Sequence, residues 1–372
     1  MSSAPPKSGT SSDDAEDDRP TAPRKKKQEQ EDASPEIVEV APGILRLQLP
    51  IDFTGLGHVN TYALEDDRGF ALVDPGLPGE ASWNALLARM DDAGIPLSRV
   101  HTVVITHSHP DHFGGAGLLA QESGAEIVAS DRFRTFFDVA DLDDRELQAA
   151  DDIDARDNPI PRLNFDHPSP WGGSTLGPPP KERAQLLAHR DEFDRWFKAP
   201  RPSHRVADQD HLSLGGREWV GLFTPGHTDD HLCLYDEEGG VLLSGDQVLP
   251  TITPHISGII PNDPLAQYLE SLDRLAALPH IETVLPAHGQ PFSNLAGRTA
   301  EIKVHHEDRL DQLLRFCEVP AWTSVVDLSH QLFAPRSWGS MAEAETYAHL
   351  ERLRVLGQVR SRNEQGVISY RV

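Results

Sequence analysis

Short apolar runs bounded by glycine, proline and polar turn residues begin at about residue 36 and continue to about residue 300. Such runs predict β-strands. The predicted strands cover Ile44–Leu49, His58–Leu64, Phe70–Val73, Val100–Thr106, Glu126–Ala129, Trp219–Phe223, Leu232–Tyr235, Val241–Ser244 and Thr283–Leu285. Apolar residues at helical spacing predict helices over Glu80–Ala93, Gly114–Ser123 and Asp263–Leu278, the last capped by Asn262 or Asp263. The alternation of the two patterns predicts the α/β class with a mixed sheet.

The pattern changes after residue 300, where three helices and a hairpin are predicted. The helices cover Glu301–Glu318, Ser324–Leu332 behind the cap Thr323, and Ala342–Leu356, which ends at Gly357. The hairpin pairs Gln358–Arg362 with Gly366–Arg371. This order predicts a small winged-helix-like domain over residues 301–372. Whether two copies of the chain form a homodimer through this module is an open question at the level of the sequence.

Two stretches lack the composition of a packed core. Residues 1–35 are rich in serine, proline and charged residues, so we expect a disordered tail. The tail has no apolar signal segment, which predicts a cytoplasmic protein. Residues 131–205 hold an acidic region, a Pro/Gly-rich loop and a predicted helix over Lys181–Lys198. We interpret them as a partly helical, lid-like insertion that presents aromatic residues to a substrate. The alternative is a packing or dimer element.

Composition narrows the classes of partner. The chain has 59 acidic and 34 basic residues, and its net charge is −25. Residues 36–300 carry −22 of this charge, because the acids and bases of the tail and of residues 301–372 nearly balance. This charge disfavours nucleic acid as a partner of the region, since binding it needs a basic surface. Five arginines near the C-terminus leave the last module undecided, because they could face nucleic acid or pair with the acidic main domain or a second subunit: Arg352, Arg354, Arg360, Arg362 and Arg371.

The numbers of cysteine and apolar residues exclude two further classes of protein. The chain contains two cysteines, Cys233 and Cys317, which excludes a disulfide scaffold. No run approaches the roughly 20 apolar residues that a membrane span requires. The 18 histidines are more informative, because neutral histidine is a common metal ligand.

The segment T-H-S-H-P-D-H, Thr106 to His112, concentrates four side chains of the metal-ligand type directly after a predicted strand. His107 and His109 can face one point, and Asp111 and His112 a second point nearby. Buried groups of this kind each need a polar partner, and a divalent cation supplies one for all of them. Four further residues follow short apolar runs, where α/β enzymes keep their reactive groups: Asp74, His227, Asp246 and His288.

This ordered set resembles the metallo-β-lactamase-fold hydrolase superfamily, whose signature H-x-H-x-D-H is intact here. The stretch S-G-D-Q-V-L-P-T-I-T-P-H-I-S, Ser244 to Ser257, is similar to the β-lactamase-like protein 2 branch, which has a C-terminal appendage like the predicted module. The resemblance implies an αββα sandwich of two sheets flanked by helices, with metals at one edge. The lid-like insertion and the winged-helix-like domain would be additions to this core over residues 36–300.

Carried over by position, the resemblance implies that His107, His109 and His227 hold one metal ion. Asp111, His112 and His288 would hold a second, and Asp246 would bridge both. Two Zn²⁺ ions are expected, although iron and manganese suit the same ligands. Asp111 and Asp246 are the candidate catalytic residues. Asp74 is expected to orient a ligand histidine or to anchor its loop.

Such a site predicts a hydrolase in which a metal-bound hydroxide attacks a small ester, thioester or lactone. A metal-dependent endoribonuclease for single-stranded RNA, as in β-lactamase-like protein 2, is the alternative, and the charge of −22 disfavours it. A third hypothesis is a non-enzymatic nucleic-acid-binding regulator, which the complete ligand set disfavours. Among the other histidines, His58, His231 and His255 are candidates for supporting the site or lining its mouth.

Overall fold

The computed structural model describes residues 26–53, 55–135, 168–175, 195–260 and 262–372. Some predicted features lie outside the described residues, namely the acidic region of the insertion and most of the helix expected over Lys181–Lys198. Within the described residues, no helix is long and apolar enough to cross a membrane.

The first sheet contains seven strands that lie side by side in chain order. Strands β1 to β4 pair antiparallel and strands β4 to β7 pair parallel, so the sheet is mixed, as predicted. The strands are β1 (Val38–Ala41), β2 (Ile44–Phe53), β3 (Leu56–Asp66), β4 (Gly69–Val73), β5 (Val100–Ile105), β6 (Glu126–Ser130) and β7 (His204–Val206).

The second sheet contains five strands in the order β12-β11-β10-β9-β8. Only β11 and β12 pair parallel. The strands are β8 (His211–Leu214), β9 (Arg217–Phe223), β10 (Leu232–Asp236), β11 (Val241–Gly245) and β12 (Thr283–Pro286). The sequence pattern does not predict β1, β7 and β8, because runs of three or four residues are too short to show a clear period.

Helices cover the outer face of each sheet. The helices of the described residues are α1 (Glu80–Asp92), α2 (Pro110–Phe113), α3 (Ala116–Ser123), α4 (Pro264–Ala276), α5 (Leu295–Cys317), α6 (Val325–Leu332) and α7 (Ser340–Val355). Leu86 of α1 and Leu119 of α3 pack on the first sheet, and Tyr268 of α4 packs on the second. Side chains such as Val104 and Leu243 fill the space between the sheets. These four layers confirm the predicted αββα sandwich.

Local capping chemistry explains where several helices begin. Asp263, one of the two predicted caps of α4, accepts a hydrogen bond from the backbone of Ala266. Helix α6 is capped by Ser324, whose hydroxyl accepts from the backbone of Asp327, and not by Thr323 as predicted. Helix α5 begins after the cap Asn294, so the domain boundary expected at residue 300 falls inside this helix.

The C-terminal segment has the predicted elements. Helices α5, α6 and α7 precede the hairpin of β14 (Arg360–Glu364) and β15 (Val367–Arg371), and a short strand, β13 (Thr323–Ser324), completes a three-stranded sheet. A hydrophobic cluster of its own holds it together, with Leu328, Leu350 and Tyr370 as members. The winged-helix assignment stays a prediction.

Four of the five C-terminal arginines named above form an ion pair or pack on an aromatic ring, and Arg360 donates to the carbonyl of Val372. Arg352 forms an ion pair with Asp263 of the main domain. Arg354 pairs with Glu351 and Arg362 pairs with Glu364. The guanidinium groups of Arg362 and Arg371 both lie over the ring of Trp322. Arg352 thus pairs with the acidic main domain, as in the second interpretation, whereas the carboxylate partners of Arg354 and Arg362 lie in the C-terminal segment itself.

Residues 26–35 differ from the disordered tail expected there. A 3₁₀ helix, Gln28–Gln30, places the side chain of Glu29 in a fully buried position. Its carboxylate accepts hydrogen bonds from the backbone of Thr251 (2.6 Å) and Ile252 (3.0 Å) and from the hydroxyl of Thr251. A buried carboxylate is tolerated when donors surround it in this way. Composition alone does not show these donors, because they lie more than 200 residues away.

The insertion connects β6 to β7, which are neighbours in the first sheet. Three of its described aromatic side chains are buried, and Trp196 is partly exposed. Phe133 and Phe197 pack against Phe113 in the core. Trp171 lies in the C-terminal cluster and donates to Glu343 (3.0 Å). These three residues therefore serve packing, as in the alternative interpretation, and do not face a substrate.

A buried histidine pair joins α5 to α7 and should make the stability of the protein sensitive to acid. His306 and His349 are fully buried, with Nδ1 of His306 3.0 Å from Nε2 of His349. Burial lowers the pKa of His306 to about 2 and that of His349 to about 4. The unfolded chain therefore binds more protons below about pH 6.5, and the free energy of unfolding falls as the pH falls.

We expect each of the two histidines to cost about 1.4 kcal/mol per pH unit between about pH 6 and pH 4. Urea unfolding of the wild type and of the double variant His306→Gln, His349→Gln at pH 7, 6 and 5 checks this. The variant should lose less stability on acidification than the wild type. An equal loss in the two proteins would contradict the assignment.

Candidate metal centre

The predicted site residues lie where strands end at one edge of the sandwich. His107, His109, Asp111 and His112 follow β5 directly, and His288 follows β12. His227 lies between β9 and β10, and Asp246 comes directly after β11. Gly245 before it has a φ of +51°, and an added Cβ would lie 2.8 Å from Nε2 of His231. Glycine is therefore required at this turn.

The first group of candidate ligands consists of His107, His109, His227 and Asp246. Nδ1 of His109 lies 3.0 Å from Nε2 of His107 and 3.0 Å from Nε2 of His227. An oxygen of Asp246 lies 3.5 Å from Nε2 of His227. Three imidazole nitrogens and a carboxylate oxygen thus converge on one point, as predicted.

The second group consists of Asp111, His112 and His288. Oδ2 of Asp111 lies 3.4 Å from Nε2 of His112 and 3.4 Å from Nε2 of His288. Asp246 adjoins this group too, at 3.2 Å from His288 and 3.6 Å from His112. Asp246 therefore lies between the two groups, where a bridging ligand is expected.

Hydrogen bonding in the two groups fits a pair of divalent cations. Nε2 of His112, Nε2 of His288 and Oδ1 of Asp246 are buried and make no hydrogen bond. Buried polar atoms of this kind are costly unless an ion or a water satisfies them. Their convergence on shared points is the arrangement that metal ions require.

The shifted pKa values of the candidate ligands also fit bound cations. Burial lowers the pKa of His109 to about 3, so this histidine is neutral, as a ligand must be. Burial also acts on His112, but the carboxylates of Asp111, Asp246 and Asp74 outweigh it and raise its pKa well above the usual value. Burial raises the pKa of Asp111, but His112 and His288 outweigh it and bring the value down to about 2. The carboxylates around His112 thus favour a positive charge at this position, which a bound divalent cation would supply in place of the proton.

The other ring nitrogen of three candidate ligands donates to a fixed acceptor. Nδ1 of His112 donates to the carboxylate of Asp74 (2.9 Å), which confirms the contact expected for Asp74. Nδ1 of His227 donates to the carbonyl of His255 (2.8 Å), and Nδ1 of His288 donates to the carbonyl of His58 (2.6 Å). Each bond leaves Nε2 as the atom that faces the site, which is the usual arrangement around a metal.

Several residues that hold the candidate ligands in place are indicated weakly or not at all by the sequence. His231 is fully buried, accepts from the backbone of Asp246 (3.1 Å) and stacks on His107. Asp230 accepts from the hydroxyl of Ser108 (3.0 Å) and joins the two histidine-bearing loops. His58 and His255 do support ligands, but through their backbone carbonyls, which no sequence motif could reveal.

Two facing sheets with seven convergent histidine and aspartate side chains at one edge define a metallohydrolase. The chain belongs to the metallo-beta-lactamase superfamily, whose family model matches residues 54–288. This confirms the superfamily and the hydrolase class expected from the H-x-H-x-D-H signature. Divalent metal binding is general in this superfamily, and the two residue groups are the candidate sites.

Known proteins resemble the chain over most of its length. A solved metallo-beta-lactamase family protein from Thermus thermophilus has a TM-score of 0.70 and 29% identity, over 90% of this chain and 99% of its own. A beta-lactamase-like protein 2 homologue from Caenorhabditis elegans is 23% identical, over 78% of this chain and 75% of its own. The acyl-coenzyme A thioesterase MBLAC2 from Gallus gallus is 28% identical, over 63% of this chain and 74% of its own.

Proposed function

We propose that this protein is a cytoplasmic, dinuclear metal-dependent hydrolase of small acyl thioesters, with esters and lactones as related substrates. The convergence of the two ligand groups at one edge of the sandwich carries the proposal of the reaction class. The similarity to a relative named acyl-coenzyme A thioesterase supports thioesters among the acyl substrates. The charge of −22 on residues 36–300 supports a small substrate over RNA.

The candidate ligands would hold two divalent ions, with Zn²⁺ favoured by the histidine-rich donor set. Bound ions of this kind supply an activated water and polarise the acyl oxygen of the substrate. His107, His109 and His227 would hold one ion, Asp111, His112 and His288 the other, and Asp246 would contact both. His109 is the most accessible of the histidine ligands, so we expect the substrate to approach from its side.

Asp111 and Asp246 are the proposed catalytic carboxylates. Both stay ionised at neutral pH because the neighbouring histidines outweigh the effect of burial and lower their pKa values. An ionised Asp111 can accept a proton from the attacking water as the new carbon–oxygen bond forms. It can then return the proton to the sulfur or oxygen that leaves when the acyl bond breaks.

The buried state of the cysteines supports water as the nucleophile. Cys233 and Cys317 are free and buried. Burial raises the pKa of Cys233 to about 12 and that of Cys317 to about 11, so neither is a thiolate at neutral pH. A covalent acyl-enzyme on cysteine needs the thiolate. Neither thiol therefore fits that role.

A substrate panel tests the proposal. The metal-loaded full chain should release thiol from short-chain and long-chain acyl-coenzyme A thioesters. Aryl esters, lactones and a single-stranded RNA oligonucleotide complete the panel, with Asp246→Asn as the matched inactive control. Thioester hydrolysis that the control lacks supports the proposal. Metal-dependent cleavage of the RNA with no hydrolysis of any acyl substrate would overturn it in favour of the endoribonuclease.

A further inference from the structure

The carbonyl that orients His227 belongs to a stretch of chain without helix or strand. Nδ1 of His227 donates to the carbonyl of His255, and this bond fixes Nε2 as the free atom towards His109 and Asp246. His255 lies in the stretch between β11 and α4, ten residues beyond the last residue of β11. No sheet ladder holds its peptide, so something else must fix the position of this carbonyl.

The side chain of His255 is held by the C-terminal segment. Its Nδ1 donates to Oε2 of Glu345 on α7 (3.2 Å), and Oε1 of Glu345 accepts from Arg309 on α5 (2.6 Å). Three residues further on, the backbone of Gly258 donates to the carbonyl of Ala344 (3.0 Å). A Cβ at Gly258 would lie 2.7 Å from Tyr347 and 2.8 Å from the backbone of Ala348. The stretch therefore lies directly against α7.

Glu345 is itself fixed by its surroundings. Burial raises the pKa of its carboxyl, but the hydrogen bond from His255 and the charge of Arg309 outweigh this and bring the value down to about 2. Nδ1 of His349 donates to the carbonyl of Glu345 (2.7 Å), and Nε2 of His349 lies 3.0 Å from Nδ1 of His306. Nδ1 of His306, Nε2 of His349 and both carboxylate oxygens of Glu345 have hydrogen-bond partners, and only Nε2 of His306 in this group is buried without one. We therefore interpret it as a structural network, although its donors lie as close together as metal ligands would.

We propose that Glu345 is a positioning residue of the metal centre, which fixes the metal ligand His227 by holding the side chain of His255. The C-terminal segment is then a component of the metal centre and not a separate appendage. The proposal rests on the metal site of the proposed function, but it does not depend on which substrate is hydrolysed.

A similar contact in the second ligand group differs in how the accepting carbonyl is held. His288 donates to the carbonyl of His58, and the side chain of His58 is held by the carbonyl of Glu31 (2.7 Å) and the backbone of Gly289 (3.0 Å). His58 lies inside β3, where pairing with Pro50 of β2 already fixes its backbone. The carbonyl of His255 has no such ladder, so the contact of its own side chain with Glu345 and the backbone bond from Gly258 to Ala344 hold it in place.

Metal affinity tests the proposal without any substrate. We expect Glu345→Gln, which removes the charge at nearly constant volume, to weaken one of two Zn²⁺ equivalents by about 10-fold or more and leave the other unchanged. Competition with a chromophoric chelator measures both affinities. The visible absorption of Co²⁺-loaded protein should change in the same variant, because the geometry around His227 changes.

Glu343→Gln is the matched control. Glu343 is also buried on α7, but it accepts from Trp171 (3.0 Å) and Ser174 (2.5 Å) instead of His255. This control should bind both Zn²⁺ ions as the wild type does. Equal Zn²⁺ affinities in Glu345→Gln and in the wild type would overturn the proposal, and so would an equal loss in both glutamine variants.

A double-mutant cycle distinguishes loss of this contact from general misfolding of the variant. His255→Ala removes the partly exposed side chain but keeps the carbonyl, so it should fold and weaken the same Zn²⁺ equivalent. The double variant with Glu345→Gln should bind Zn²⁺ no more weakly than either single variant, because both changes break the same contact between His255 and Glu345. Additive losses would overturn the proposal. A wild type that binds two Zn²⁺ ions but hydrolyses no thioester would overturn the proposed function alone.

Discussion

The Asp246→Asn variant is expected to lose turnover and metal together. Asp246 lies 3.5 Å from His227 in the first group and 3.2 Å from His288 in the second, so the change removes a charged ligand from both. The two side chains have nearly the same shape, and the packing is preserved. We expect kcat/KM to fall by well over the roughly 100-fold that loss of an outer hydrogen-bond partner costs. Steady-state kinetics and elemental analysis measure the two effects.

Asp236→Asn is the control for this variant. Asp236 is another buried aspartate, but it pairs with Arg217 and accepts from the backbone of Gly239 (2.9 Å). It offers no oxygen to either ligand group. This variant should keep its metal and its turnover even if its stability falls. An Asp246→Asn protein with wild-type turnover would show that the two groups are not the site of the reaction.

Removal of metal by a chelator is expected to abolish turnover and to lower the melting temperature. The apoprotein would retain buried carboxylates at Asp74, Asp111 and Asp246 with only histidines to neutralise them. Ions that bind only the folded state stabilise it, by about 4 kcal/mol when their concentration is 1,000 times the dissociation constant. Differential scanning calorimetry and activity assays before and after chelation measure both losses.

Restoring the metal provides the complementary measurement. Two equivalents of Zn²⁺ should return both activity and melting temperature, and parallel additions of Fe²⁺ and Mn²⁺ compare the other metals that suit these ligands. The Asp246→Asn protein serves as the control, since chelation should change its melting temperature much less. Full activity after complete removal of metal would contradict a metal-dependent reaction.

Short-range patterns predicted most of the sandwich and the ligand motif. The strands that enclose the core alternate with helices at the predicted positions, and His107 to His112 follow β5 as expected. This works because strand and helix periods are local properties of the sequence. The cap of α6 and the start of α5 differ from prediction because one hydrogen bond decides each of them.

Contacts between distant residues were beyond the reach of such patterns. Glu29 lies in a stretch whose composition is typical of a disordered tail. Its carboxylate is nevertheless buried, because the backbone N–H groups of Thr251 and Ile252 donate hydrogen bonds to it. Phe133, Phe197 and Trp171 resemble the lining of a substrate lid, yet they pack in two separate cores. An aromatic side chain has the same local pattern in both roles, and only its neighbours in space distinguish them.

The sequence by itself determined the α/β class, the resemblance to the superfamily and the seven ligand candidates, because each depends on residues close together along the chain or on motifs of fixed spacing. The tertiary structure decided what orients those ligands. His227 depends on a peptide 28 residues away, and that peptide is held by Glu345, a further 90 residues along the chain. Any residue can supply a backbone carbonyl, so this contact leaves no motif in the sequence. Only the folded arrangement reveals that the C-terminal segment holds the stretch of chain that orients His227.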